Sequence, residues 1–117
     1  MDFGAYIKSA RLAHQQEDLR HWTLRQFALR VGIEPSYLSK IERGVEKPPS
    51  EDMILRLAHE LQLDPDVLLA MAGKLSSELQ AIITARPKLF GELLRQLKQM
   101  PDDAILSIVR DVHDGEW

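Results

Sequence analysis

The sequence predicts an all-α protein, and three features of its 117 residues support that class. Apolar residues recur with the helical period in successive segments, which indicates amphipathic helices. Ser, Thr or Asp residues that can cap helix N-termini precede several of these segments, and Pro or Gly residues separate them. No segment shows the strict apolar–polar alternation of a half-buried strand. We therefore expect helices and no β-sheet.

The first predicted helix runs from Asp2 to about Gln16. An apolar stripe with the helical period defines it, formed by Phe3, Tyr6, Ile7, Ala10, Leu12 and Ala13. The polar stretch "QQEDLRH" then interrupts the pattern before the second helix.

The second and third helices are predicted from their boundary residues. Thr23 can cap the second helix, with Gln26 three residues later as its capping-box partner, and Gly32 ends it. Pro35 suits the first turn of the third helix, and Gly44 stops it. The connection "GIEP" is a short turn containing Gly, as in a helix-turn-helix. Such turns also occur in plain helical bundles, so the spacing alone leaves both interpretations open.

Two further helices complete the first predicted domain. Ser50 caps the fourth helix, and Asp64 begins the fifth, which ends at Gly73. We therefore expect a five-helix domain over residues 1–73, followed by a helical segment over residues 74–117.

The segment after residue 73 is acidic and amphipathic. Ser76 or Ser77 begins its first helix, Pro87 interrupts the pattern, and Pro101 precedes the last helix. Two apolar stripes lie on the last two helices, formed by Leu89, Phe90, Leu93, Leu94, Leu97, Ile105, Leu106, Ile108 and Val109. A hairpin this short cannot bury both stripes by itself, so we expect a homodimer interface here. Docking on the first domain or on a second protein stays open, as does the role of Trp117.

The charge distribution differs between the two halves of the chain, whose total is −3. Residues 1–50 carry eight Lys and Arg against six acids, and residues 51–117 carry seven against twelve. This asymmetry indicates a basic half that faces a partner and an acidic half with another task.

Several classes of protein are not expected. There is no Cys, no long apolar run and no signal-peptide pattern, so we expect a cytoplasmic protein without disulfides or a membrane span. The four His are scattered, and no Gly-rich phosphate loop or metal motif is present. We therefore expect no enzyme, no metal and no cofactor.

The third helix has an outward face that suits a nucleic acid. In a helix-turn-helix the second helix of the motif enters the major groove, and its N-terminal residues meet base edges. Leu38 and Ile41 fix the inward side. The outward side carries short or basic residues, namely Ser36, Ser39, Lys40 and Arg43. The alternative is a solvated helix face.

The run "WTLRQFALRVGIEPSYLSKIERGVEKPPSEDMILRLAHELQLDPDVLL" resembles the helix-turn-helix of the Xre/Cro/CI family of bacterial and phage regulators. The resemblance covers roughly Phe3 to Met71. It implies a five-helix, lambda-repressor-like DNA-binding domain that usually acts as a dimer on a paired operator. The expected function is that of a sequence-specific transcriptional regulator, a repressor, which inserts residues 35–43 into the major groove of double-stranded DNA.

The resemblance also implies which residues read bases. By position they are Pro35, Ser36, Ser39 and Lys40. Lys40 could donate to guanine, and the two serines can donate and accept. Tyr37 could touch a base or the sugar-phosphate. Glu34 stands where a Ser or Thr commonly caps the helix, so it is either a cap turned away from DNA or an acceptor for a cytosine amino group.

Phosphate contacts are expected at the end of the third helix and at the start of the second. The candidates are Thr23, Arg25, Gln26, Arg43 and Lys47. The family often has Gln after the capping Thr, but this chain has Leu24 there. That contact must be lost or taken over by Arg25 or Gln26.

Two further features of the resemblance concern the first helix. Arg11 aligns with a helix 1 Arg that pairs with Glu42, so we expect a structural ion pair that orients the third helix. The stretch "LAHQQEDLRHW" is several residues longer than usual. Either the first helix runs on, or the loop bulges toward the DNA backbone with Arg20 and His21.

Other functions keep the same fold. In an antitoxin-type regulator, the C-terminal helices would neutralise a partner protein. A repressor inactivated by a co-encoded peptidase, or a scaffold that does not bind DNA, are further hypotheses.

Overall fold

The computed structural model describes residues 2–115 and forms them into helices, with no β-strand among those residues. The helices are α1 (Phe3–Glu17), α2 (Leu24–Val31), α3 (Pro35–Glu42), α4 (Glu51–Leu61), α5 (Pro65–Met71), α6 (Ser77–Ala85), α7 (Pro87–Leu97) and α8 (Asp102–Asp114). The predicted all-α class is confirmed. Trp117, whose role the sequence left open, lies outside the described residues.

The chain divides into two compact units, Met1–Ser76 and Ser77–Trp117. The first unit contains α1 to α5, and the second contains α6 to α8. The sequence placed its domain boundary after Gly73, a residue with a left-handed φ of 72° that follows α5.

Short polar side chains begin several helices of the first unit. The Thr23 hydroxyl accepts a hydrogen bond from the Gln26 N–H, and the Ser50 hydroxyl accepts one from the Met53 N–H. The Asp64 carboxylate accepts from two backbone N–H groups of α5. Such bonds satisfy N–H groups that have no partner inside the helix, so these residues fix where each helix starts.

One hydrophobic core holds the first unit together. Its most deeply buried side chains come from all five helices and are Ile7, Phe27, Val31, Leu38, Ile41, Ile54, Leu57, Leu61, Leu68 and Leu69. Helix α3 packs against both α1 and α2, and α4 packs against α5. The apolar positions of α3 therefore face the core, which leaves its polar positions outside.

Gly4 sets how closely α1 approaches α3. A Cβ atom at this position would lie 2.1 Å from the Ile41 carbonyl oxygen and 3.0 Å from that of Glu42. Both obstacles are backbone atoms at the C-terminal end of α3, so no rotamer change could relieve the clash. A glycine is required here for the observed helix packing.

The second unit has no buried residue in any of its three helices. Helices α6 and α7 pack together, and Pro87 begins α7. Leu89 is 69% exposed and Leu94 is 55% exposed. The apolar stripes predicted from the sequence are therefore present and largely exposed to solvent.

Within residues 2–115, no helix combines the length and the apolar character that a membrane crossing requires.

Candidate nucleic-acid interface

The turn between α2 and α3 begins at Gly32. This residue adopts φ 81° and ψ 33°, a left-handed conformation that glycine adopts without steric cost. Its N–H and that of Ile33 both donate to the Ala28 carbonyl, each at 3.0 Å. These bonds satisfy the C-terminal end of α2 and redirect the chain within three residues. Pro35 then starts α3.

The two sides of α3 differ in burial and chemistry. Leu38 and Ile41 are fully buried, whereas Ser36 and Lys40 are exposed and Ser39 is half-buried. The Arg43 Nε donates to the Ser39 hydroxyl at 3.3 Å. The outward side therefore presents one ammonium group, one guanidinium group and two hydroxyls close together, which are groups that can contact base edges and phosphates.

The residues that flank this outward side are less exposed. Tyr37 is half-buried and packs against the hydrophobic core, and Pro35 is also half-buried. A ring packed in this way has a restricted orientation. The structure therefore sets Tyr37 between the core and the outward side of α3.

Glu34 occupies the N-cap position of α3, but its side chain makes no capping hydrogen bond. Glu34 therefore stands at the position of a capping residue but does not form the hydrogen bond that a cap makes. Its carboxylate is exposed beside the first turn of α3, where the partial positive charge of the helix N-terminus is stabilised by an anion.

The phosphate candidates lie at two ends of helices. At the start of α2, Thr23 caps the helix, and Arg25 and Gln26 are exposed. At the end of α3 and just beyond it, Arg43 and Lys47 are exposed. Each group therefore combines a helix end with at least one exposed cation, and such cations commonly contact phosphates.

The structure brings Arg11 and Glu42 together inside the first unit. The Arg11 Nε donates to Glu42 Oε2 at 2.8 Å, and its Nη2 donates to Oε1 at 2.9 Å. The two side chains are only 7% and 3% exposed. A buried, bidentate pair of this kind fixes orientation as well as distance, so it ties α1 to the end of α3.

Arg11 also makes a contact that the sequence did not indicate. Its Nη1 donates to the Trp22 carbonyl at 3.1 Å. Trp22 directly precedes Thr23, the cap of α2. One guanidinium therefore links α1, the end of α3 and the start of α2, which are the two helix ends that carry candidate DNA contacts.

The long connection after α1 folds back on itself. The helix ends at Glu17, and the His21 Nδ1 lies 2.8 Å from Asp18 Oδ2. The hydrogen bond from His21 lowers the pKa of the Asp18 carboxyl below its ordinary value. Arg30 donates to the His21 carbonyl, and Arg20 is exposed. The loop is thus held by local bonds rather than by an extension of α1.

A ring stack around Trp22 was not predicted. The His14 and Trp22 rings are stacked with centroids 4.2 Å apart, and Trp22 also stacks on Phe27 at 5.4 Å. The Arg30 guanidinium lies 4.5 Å from the Trp22 ring centroid and pairs with Glu60 at 3.5 Å. The sequence did contain a signal for the contact between Trp22 and Phe27. Apolar residues directly before the N-cap and at the fourth helical position form a hydrophobic staple, and these are the positions of Trp22 and Phe27.

In the part of the chain that the structure describes, no three His, Asp or Glu side chains are grouped to hold a metal ion.

Comparisons with known proteins agree with this geometry. Residues 16–68 match the family model described as Helix-turn-helix. Two relatives from strains of Mycobacterium tuberculosis, both named as uncharacterized HTH-type transcriptional regulators, are 38% identical over 70 residues. The alignment covers 60% of this chain and 45% of each relative, so the chain spans less than half their length. No solved structure matches the chain significantly. The resemblance is therefore confirmed over the matched region, and residues 16–68 are similar to the helix-turn-helix family.

Proposed function

We propose that this protein is a sequence-specific transcriptional regulator that binds double-stranded DNA and represses its target genes. In this proposal α3 enters the major groove, and two copies of the chain bind a paired operator. The family match of residues 16–68 and the printed names of the two relatives support DNA binding. We also propose that the protein acts in the cytoplasm, associated with the nucleoid through DNA.

The observation that carries the proposal is the fixed orientation of α3. Its inward side is buried in the core, and the Arg11–Glu42 pair holds its C-terminal end from behind. The side chains on its outward side can therefore approach a groove without moving the helix. A reading element needs this rigidity, because hydrogen bonds to base edges depend on both distance and angle.

Each outward residue has a role that its chemistry allows. Lys40 can donate to guanine O6 and N7, and Ser36 and Ser39 can donate to or accept from base edges. Arg43 lies at the C-terminal end of α3 and already bonds to Ser39, so a nearby phosphate is its better target. Pro35 and Tyr37 would supply apolar contact at the start of the helix.

Glu34 has the role of a cytosine acceptor in this proposal. Its carboxylate is exposed and makes no capping hydrogen bond, which supports this interpretation over that of a cap. A carboxylate accepts from the cytosine N4 amino group and repels phosphates. Glu34→Ser should therefore change which base is preferred at one position, as measured by binding to a library of randomised sites.

The salt dependence should be modest for each domain. Arg25, Arg43 and Lys47 are the cations placed to neutralise phosphates, with Thr23 and Gln26 as neutral contacts. Each neutralised phosphate contributes a slope of about 0.9 in a plot of log affinity against log salt. Two copies on adjacent half-sites, about 34 Å apart along the DNA, would double this slope.

The test uses DNA from upstream of the protein's own gene. Footprinting should reveal two protected half-sites. Lys40→Ala combined with Ser36→Ala should weaken binding at least about thirtyfold, because two base contacts of about 1–3 kcal/mol each contribute at least about 2 kcal/mol together. Lys8→Ala, which removes an exposed cation from α1, is the matched control and should leave the affinity nearly unchanged. Unchanged affinity of the double variant would show that α3 is not the reader.

A further inference from the structure

The second unit exposes a series of large apolar side chains along its helices. Eight large apolar side chains of α6, α7 and α8 are between 39% and 69% exposed, namely Ile82, Leu89, Leu93, Leu94, Leu106, Ile108, Val109 and Val112. All of them except Ile82 form stripes along α7 and α8 and are not scattered singly. Contiguous exposed apolar surface of this kind marks a protein-binding face.

The charges on α7 and α8 have opposite signs. Helix α7 and its two cap residues, residues 86–98, carry four cations and one carboxylate, a net charge of +3. Helix α8, residues 102–114, carries four Asp and one Arg, a net charge of −3. Each helix is therefore complementary to the other in charge, and both are amphipathic.

Little of this complementary surface is paired within the unit, as far as the described residues show. Helix α7 packs against α6, and among the described residues neither of them packs extensively along α8. The four residues 98–101 join α7 to α8. Leu94 and Val109, near the middle of the two stripes, remain 55% and 57% exposed. Among the described residues, α8 thus packs only lightly against the other helices of its own unit.

We propose that α7 of one copy packs against α8 of a second copy, and that α8 of the first copy packs in return against α7 of the second. This inference rests on the homodimer proposed above and names its contacts. A two-fold axis produces both contacts at once, because each surface of an isologous interface meets its complement. Each contact joins a helix of net charge +3 to one of −3.

Other pairings are less favourable. If α7 packed on α7 of the partner, two helices of net charge +3 would face each other. If α8 packed on α8, two helices of net charge −3 would face each other. Like charges that face each other across an interface oppose association. A different protein with a face of one sign would complement only one of the two helices. A second copy complements both, which is why we commit to it as the occupant.

The test reverses the charge of one helix at a time in the full chain. In the first variant Arg86, Lys88 and Lys98 become Glu, which changes residues 86–98 from +3 to −3. In the second variant Asp103, Asp111 and Asp114 become Lys, which changes α8 from −3 to +3. Arg95 is kept because it bonds to Glu92 at 2.7 Å within α7.

Sedimentation equilibrium at low salt measures the outcome. The natural chain should have twice the chain mass of 13.4 kDa. Each variant alone should dissociate at least tenfold more readily, because both of its contacts then join helices of like charge. An equimolar mixture of the two variants should recover the dimer, because both contacts in that heterodimer again join opposite charges.

Three results would overturn the inference. A natural chain that stays monomeric excludes a second copy and favours a different protein partner, as in an antitoxin. A first variant that dimerises as tightly as the natural chain means that α7 meets α7. A mixture that stays monomeric, although circular dichroism shows both variants helical, means that α7 and α8 pair within one chain.

Conservative substitutions provide the matched control. Replacing Asp103, Asp111 and Asp114 with Glu keeps the charge of α8 and should keep the dimer. Binding of the natural chain to operator DNA is measured in parallel. A dimer that does not bind DNA contradicts the proposed function alone, and a chain that is monomeric in solution yet protects both half-sites contradicts this inference alone.

Discussion

The helices of the two units have similar apolar content. In the first unit these residues are largely buried, whereas in the second they are largely exposed. In the first unit thirteen apolar residues are buried in one core. In the second, no residue of α6, α7 or α8 is buried, although the stripes are as regular as those of α4. An amphipathic pattern therefore predicts a helix with an apolar face. It does not say whether that face meets its own chain or another one.

The largest expected difference between the units concerns their apolar side chains. Phe27→Ala should lower the free energy of unfolding by roughly 3–5 kcal/mol, since the ring is fully buried and its removal leaves a cavity. Leu89→Ala removes a side chain that is 69% exposed and should leave the unfolding of the first unit unchanged. Urea unfolding followed by Trp22 fluorescence measures both. Equal losses would mean that the two units fold as one.

The next effect contrasts a buried ion pair with an exposed one. Arg11→Met leaves the Glu42 carboxylate buried without its partner, which should lower the free energy of unfolding by about 3 kcal/mol. Arg95→Met breaks the exposed pair with Glu92 and should have no measurable effect on thermal unfolding. The double variant Arg11→Met with Glu42→Leu should recover much of the loss, because apolar replacement of both partners removes the buried charge. No recovery would argue against desolvation as the cause.

A smaller effect is expected at the ring stack before α2. Trp22→Leu keeps an apolar residue in the staple but removes the ring contacts with His14 and Arg30. The loss should be about 1 kcal/mol, the size of one aromatic contact beyond simple burial. Phe90→Leu changes an aromatic residue of the second unit and serves as the control, which should unfold like the natural chain. If Trp22→Leu lowered the free energy of unfolding as much as Phe27→Ala, Trp22 would contribute to stability like a fully buried core residue.

The smallest effect concerns two exposed carboxyls, one in each unit. A hydrogen bond from the His21 side chain lowers the pKa of Asp18 below its ordinary value, and hydrogen bonds from Gln96 and then Arg95 lower the pKa of Glu92 below its ordinary value. Since each folded pKa lies below the unfolded one, the stabilising contribution is fully present above the unfolded pKa. It is lost as the pH falls through the folded pKa.

Carboxyl carbon NMR titration measures both groups. His21→Ala should raise the pKa of Asp18 and leave Glu92 unchanged, whereas Gln96→Ala should do the reverse. An Asp18 midpoint that stays low without the His21 ring would point to another cause, such as the backbone hydrogen bond from Arg20.

Much of the fold follows from local sequence. Thr23 and Ser50 were predicted as caps and Asp64 as the start of the fifth helix, and all three bond to the first-turn N–H groups of their helices. Gly32 was predicted to end α2 and has the required left-handed conformation. These features depend on residues within one turn of each other, so a short window of sequence contains the information.

The side-chain contacts between residues far apart in the sequence were decided by the tertiary structure. The third bond of Arg11, to the Trp22 carbonyl, requires the loop after α1 to return to that helix. The missing capping bond of Glu34 depends on how its side chain is oriented at the start of α3. Sequence by itself therefore determined the helices, their ends and the outward residues of α3. Only the packing decided which charges became buried and which apolar stripes stayed exposed, because burial is a property of the whole assembly of helices.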